Sequence, residues 1–146
     1  MDRHDGIRPV LRLIKQGYAF LNAPDLGKTP RVQDTGDPQY VERARLASIA
    51  FNSNLAWTLA RLEPQLGVDV IACDLFNDFE ELATAPTRFG FQDAQHRCLT
   101  SDRDPPCANP DQRVFWDGLH PTTAAHRWIA KWANTALLTG GDPLPR

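Results

Sequence analysis

An α/β fold built on a parallel sheet is predicted by three features of this 146-residue sequence. Helical and strand-like segments alternate along the chain. The connections between strands are long enough to carry a crossover helix. The clearest strand, "VDVIACD" at 68–74, is apolar nearly throughout, as strands covered on both faces are.

Each element has its own signal. "IRPVLRLIKQ", 7–16, sets Ile7, Val10, Leu11 and Ile14 at helical spacing, with Pro9 tolerable only in the first turn and Gly17 placed to end the helix. "YAFLNAP", 18–24, is apolar but too short for a helix and is stopped by Pro24 and the turn-forming "DLG", so it reads as a buried strand. After a loop, "PRVQDTGDP", residues 39–63 carry Val41, Ala44, Ser48, Phe51, Leu55, Leu59 and Leu62 at intervals of three and four. That is a long helix closed near Pro64 and Gly67. The 68–74 strand follows, with Cys73 read as a small buried hydrophobe. A helix-like stretch, "LFNDFEELATA", comes next. From Phe89 to Val114 no period persists, and Gly, Pro, Asp and Cys punctuate a long loop of the kind that often carries function. A last helix spans about 122–138, with Ala125, Trp128, Ile129, Trp132 and Ala136 as its apolar stripe, and 139–146 is a tail. The total is two strands and three to four helices in a single domain over 1–146. Two parallel strands bury little and leave both edges open, so the sequence reads as the second half of an α/β domain.

Composition narrows the partners. The chain is 42% hydrophobic and 23% charged with a net charge of −2, which suits a folded domain and leaves no basic patch for nucleic acid. No apolar run approaches the roughly 18–20 residues needed to span a bilayer, so no stable membrane insertion is expected. The start, "MDRHDGIRPV", has no apolar signal-peptide core, which makes the chain cytoplasmic if Met1 is the true start. Cys98 and Cys107 lie in the polar, proline-rich "CLTSDRDPPCANP", where either a disulfide or two surface thiols fits the composition.

The chemistry concentrates in "FWDGLHPTTAAH", 115–126. Asp before Gly is ordinary turn chemistry, and a Pro followed by "TTAAH" suits a helix start, so a cap is one reading. The other is a dyad. Asp117 and His120 are three residues apart, close enough for a carboxylate to reach the imidazole, fix its tautomer and support the imidazolium formed when the ring takes a proton. A metal site drawn from Asp117, His120, His126 and His96 is disfavoured, because His120 and His126 would point to different faces of one helix and the cysteine spacing is not a usual zinc pattern. No metal and no cofactor is expected. Trp116 could line a substrate pocket, whereas Trp128 and Trp132 at helical spacing read as core.

These residues resemble the last conserved block, D-x-x-H-P-T, of the SGNH or GDSL hydrolases, whose domain is a flavodoxin-like three-layer α/β/α sandwich around a parallel sheet. "FLNAPDLGKTP" is similar to a strand and turn of the family's bacterial lipase and autotransporter-esterase branch that reads N-x-P-D-x-G-x-T-P. "AFNSNLAWTLARL" is similar to its helix with F-N-x-x-L, and "GFQDAQHRC" to the stretch before the final block. The resemblance implies a carboxylic ester hydrolase acting on an acyl or lipid-like ester, with His120 as general base, Asp117 as its orienting acid and Trp116 beside the substrate. It also implies a Cys98–Cys107 disulfide and a secreted or periplasmic location.

The blocks that carry the Gly-Asp-Ser nucleophile, the oxyanion-hole Gly and the Gly-x-Asn-Asp donor have no match here. Ser48 and Ser53 fall within the long helix and Ser101 within the cysteine loop, none on a strand-to-helix elbow, and the Asn77–Asp78 pair follows the wrong strand. A base without nucleophile and oxyanion hole contributes little acyl transfer. Two expectations follow. Either the chain supplies the Asp–His part of a triad completed by an N-terminal half, or it is an inactive truncated module that self-associates or binds a partner through its exposed sheet edge.

Overall fold

The computed structural model describes residues 17–101 and 105–141. The expected helix over 7–16 and most of the tail lie outside them.

β1 (Gly17–Leu21) and β2 (Asp69–Cys73) form a parallel pair in the register Gly17↔Asp69 to Leu21↔Cys73. Between them run a 3-10 turn (Leu26–Lys28), a single turn of helix α1 (Pro30–Gln33) inside the stretch expected to be loop, and the long helix α2 (Pro38–Leu66). Asp37 caps α2 by accepting the Gln39 N–H at 2.9 Å, and Gly67, at a φ of 64°, ends it with its N–H on the Glu63 carbonyl. α3 (Leu75–Thr84) follows β2, capped by Asp74 through the Asn77 N–H.

The segment read as one long loop holds two further strands. β3 (Asp93–Arg97) and β4 (Arg113–Phe115) pair in parallel as a second two-stranded sheet, with an irregularity between Asp93 and Arg97. The expectation of two strands is therefore corrected to four among the described residues. The cause is length and polarity: "DAQHR" carries one apolar side chain and "RVF" is three residues long, so neither makes a period. α4 (Thr123–Thr139) closes the fold. Pro121, expected in its first turn, instead bridges antiparallel to Phe115, and Thr122 is the cap, accepting the Ala125 N–H at 3.2 Å.

The core lies between α3, α4 and the second sheet. Leu75, Phe79, Leu82, Phe91, Ala94, Val114, Phe115 and Ala125 are its buried residues, with Phe89, Trp128, Ile129 and Trp132 packed against them. Each large side chain removed from water here contributes about 1.5–3 kcal/mol. The α4 stripe meets the core as expected, and Cys73 is buried.

The α2 stripe is only partly used. Asn52 exchanges two hydrogen bonds with the backbone of Ala23, at 2.8 Å each, and Ser48 is buried under Leu26. Phe51 and Leu62, expected to be covered, are exposed, as are Leu46, Ile49, Trp57 and Leu66 on the same helix. Among the described residues no strand pairs with the outer edge of β1, where Tyr18 is also exposed. No helix among them is long and apolar enough to cross a membrane.

Candidate active site

The "FWDGLHP" stretch is a closed loop at the carboxyl end of β4, the end of a parallel strand where ligands of open α/β sheets bind. Its base is shut by the Phe115–Pro121 bridge and by the Trp116 N–H donating to the His120 carbonyl at 2.8 Å. The stem is held from both sides. Thr122 donates its hydroxyl to the Arg113 carbonyl at 2.7 Å and its N–H to that of Val114 at 2.8 Å. Across the sheet the Cys98 and Leu99 N–H groups donate to the Phe115 and Trp116 carbonyls at 3.0 and 2.6 Å. Cys98 and Cys107 are joined in a disulfide, and the Cys107 N–H donates to the Cys98 carbonyl at 2.9 Å, which holds Cys107 next to this sheet.

Within the loop, Asp117 and His120 meet. Asp117 Oδ1 accepts the backbone N–H groups of Leu119 and His120, each at 2.7 Å, and Oδ2 lies 2.8 Å from His120 Nδ1. Desolvation pushes the Asp117 carboxyl up, but the two backbone N–H bonds and the hydrogen bond and charge of the His120 ring outweigh it and bring the group down to about 2. The His120 side chain is 70% exposed, so with Nδ1 on Asp117 the opposite nitrogen, Nε2, is open to a partner. Of the two readings of this stretch, cap and dyad, the helix cap falls to Thr122, and Asp117 serves the turn and the imidazole together.

The depressed carboxyl has a pH signature. A folded value below the ordinary one near 3.8 adds stability that is fully present above that value and is lost as pH falls through about 2. The stability gap between the wild type and Asp117→Asn is expected to close as the pH falls from about 4 to 2. Urea midpoints across that range measure it, and a gap independent of pH would refute it.

The other expected residues are placed as follows. Trp116 is half-buried next to the dyad. His126 is exposed on α4 and donates from Nδ1 to the Thr122 carbonyl at 3.0 Å. Ser48 accepts the Leu26 N–H at 3.2 Å and donates to the Ala44 carbonyl, Ser53 is exposed inside α2, and Ser101 is exposed after the disulfide cysteine. Asn77 and Asp78 lie in the first turn of α3.

One constellation was missed. Asp93 and His96 repeat the same turn: Asp93 Oδ1 accepts the N–H groups of Gln95 and His96 at 2.8 and 2.9 Å, and Oδ2 lies 3.0 Å from His96 Nδ1. The signal was available, since "DAQH" has the D-x-x-H spacing of "DGLH". The two differ in setting. Asp93 also takes Arg113 Nη1 at 3.0 Å on the oxygen that faces His96, and it stands at the amino end of its strand. Its carboxyl is lowered too, against desolvation, by the His96 and Gln95 N–H groups and the His96 ring.

A family model described as GDSL-like lipase/acylhydrolase matches residues 7–133. The chain is 35% identical over 101 residues to a GDSL esterase/lipase of Arabidopsis thaliana, covering 61% of this chain and 28% of that protein. It is 31% identical over 121 residues to another from the same plant, covering 75% and 33%. To the thermolabile hemolysin of Vibrio parahaemolyticus it is 26% identical over 144 residues, covering 87% and 34%. It thus spans about a third of the length of these curated relatives.

Proposed function

The chain belongs to the GDSL-like lipase/acylhydrolase family, and from that premise we propose that it forms part of one SGNH-type domain and supplies the acid–base half of an ester-hydrolysing triad. The observation that carries this is the 2.8 Å contact of Asp117 Oδ2 with His120 Nδ1, with the ring exposed, at the carboxyl end of β4. In the proposed reaction Asp117 holds the proton on Nδ1, and Nε2 removes the proton of a serine hydroxyl as that oxygen attacks the ester carbonyl. The imidazolium then returns the proton to the departing alkoxide. The same nitrogen next activates a water, which releases the acid and regenerates the serine. Trp116, beside the dyad, is assigned to the acyl side of the substrate.

The nucleophile is assigned to polypeptide other than these 146 residues. The exposed apolar side chains of α2 and the unpaired outer edge of β1 support that, since both are left uncovered among the described residues. The Cys98–Cys107 bridge supports an oxidising, secreted or periplasmic setting. The "NAPDLGKTP" turn supports the bacterial lipase and autotransporter-esterase branch.

The test is reconstitution: this chain combined, by fusion or co-expression, with a segment bearing Gly-Asp-Ser is expected to hydrolyse p-nitrophenyl esters and to label with a fluorophosphonate. In that assay His96→Ala keeps activity within about twofold, because Asp93 shares its charge with Arg113 and stands at the amino end of β3, whereas sites on parallel sheets form at the carboxyl ends of the strands. Equal losses from His96→Ala and His120→Ala would refute the assignment. The β1 edge also favours a second reading, an inactive module that pairs with its own copy. That reading expects a dimer by light scattering and no serine labelling in any combination.

A further inference from the structure

The segment from Asp25 to Asp34 grips the dyad turn, and nothing in the proposed reaction uses it. Its inner end is buried: Asp25, 1% exposed, accepts the Gly27 N–H at 2.8 Å and is ion-paired with Arg45 of α2. Arg45 continues to Glu80 of α3 at 3.2 Å. The outer end, Asp34, is ion-paired with Arg97 at the end of β3. Between these two anchors the Arg31 N–H donates to the Gly118 carbonyl at 2.8 Å.

That bond has a mechanical consequence. The Gly118 carbonyl and the Leu119 N–H belong to one planar peptide unit and point in opposite directions. The Leu119 N–H is one of the two donors that hold Asp117 Oδ1. Fixing the carbonyl end of the unit from Arg31 therefore aims its N–H end at Asp117. The approach is tight: a Cβ at 118 would lie 3.3 Å from Arg31 Cβ and 3.4 Å from Arg97 Nη1, so a side chain there would press on both.

We propose that Asp34 and Arg97 are positioning residues for the Asp117–His120 dyad, clamping the Gly118–Leu119 peptide through Arg31, with Asp25–Arg45 as the inner anchor of the clamp. The inference rests on the dyad reading given above, and its test reads the turn itself and not hydrolysis. A failed reconstitution and a failed clamp are therefore separate results.

The experiment uses the whole 146-residue chain and the variants Asp34→Asn, Arg97→Met and both together, in NMR at neutral pH. The Leu119 amide is expected to exchange about tenfold faster in either single variant, with no further gain in the double, because the two residues act as one pair. Long-range proton–nitrogen spectra of the His120 ring are expected to show loss of the Nδ1–H tautomer held by Asp117. A third reading supplies the sign. Removing the Asp34 charge would by Coulomb's law alone lower the Asp117 titration midpoint, whereas a loosened turn raises it from about 2 toward the ordinary carboxylate range. A lowered melting temperature with Leu119 exchange, tautomer and midpoint unchanged would make the pair merely structural and overturn the proposal. So would a midpoint that falls in Asp34→Asn.

Discussion

His120→Ala is expected to lower ester hydrolysis by the reconstituted enzyme roughly 10⁴-fold or more, with the loss in kcat and little change in KM. The size follows from what the ring does. It touches the reacting proton in both half-reactions, and no second imidazole among the described residues shares its loop. Asp117→Asn is expected to cost a comparable roughly 10⁴-fold by a different route. The amide keeps the shape of the side chain but cannot stabilise an imidazolium, and its NH₂ cannot accept the Nδ1 proton. It lets the ring settle in the tautomer whose Nε2 carries hydrogen and cannot take one. Steady-state hydrolysis of a p-nitrophenyl ester, with serine labelling to count competent sites, separates these outcomes from misfolding. A His120→Ala enzyme retaining more than about a tenth of the wild-type rate would remove His120 from the base role.

How much of this was legible depends on whether a feature announces itself locally. β1, β2 and the three long helices were readable because each carries a run or a period of its own, although β1, expected to be buried over 18–24, ends at Leu21 and is mostly exposed, and α2, expected over 39–63, continues through Pro64 to Leu66 before Gly67 ends it. β3 and β4 were not. Their hydrogen bonds are made by short polar segments whose strand geometry is imposed by the neighbour and by Cys98, whose N–H reaches the Phe115 carbonyl. The Asp117–His120 contact was legible because three-residue spacing is a geometric statement. The same statement held for Asp93–His96, and only the surroundings, Arg113 on Asp93 and a place at the amino end of the strand, tell the two apart. The exposure of Phe51 and Leu62 could not be read from period alone: a stripe says that a face wants covering, not what covers it. The contact from Arg31 to Gly118 joins residues remote in sequence through backbone atoms, so no side-chain pattern could have marked it.

Arg45→Met is expected to destabilise the fold by about 3 kcal/mol, near the lower end for breaking a buried pair, because Arg45 is itself 36% exposed. The cost comes from the partner left behind. Asp25 is 1% exposed, and without the guanidinium its carboxylate keeps only the Gly27 N–H as a named donor. Glu80, by contrast, retains Lys28 at 3.2 Å, so the loss is focused on one group. The Arg45 pKa is raised, first by its hydrogen bond to Asp25 and only then, past opposing desolvation, by the charges of Asp25 and Glu80, which agrees with Asp25 as the main partner. For a chain of this size the change corresponds to a fall in Tm of roughly 10 °C. The double variant Asp25→Leu, Arg45→Met removes the stranded charge and is expected to regain most of the loss, since apolar replacement of a buried pair is often neutral. The two variants also part at the active-site turn. The double variant restores stability without restoring the ion pair that seats the Asp25 segment, so its Leu119 amide should still exchange faster than the wild type. If Arg45→Met melts within about 2 °C of the wild type, Asp25 is not held by this pair, and the inner anchor of the clamp must lie elsewhere.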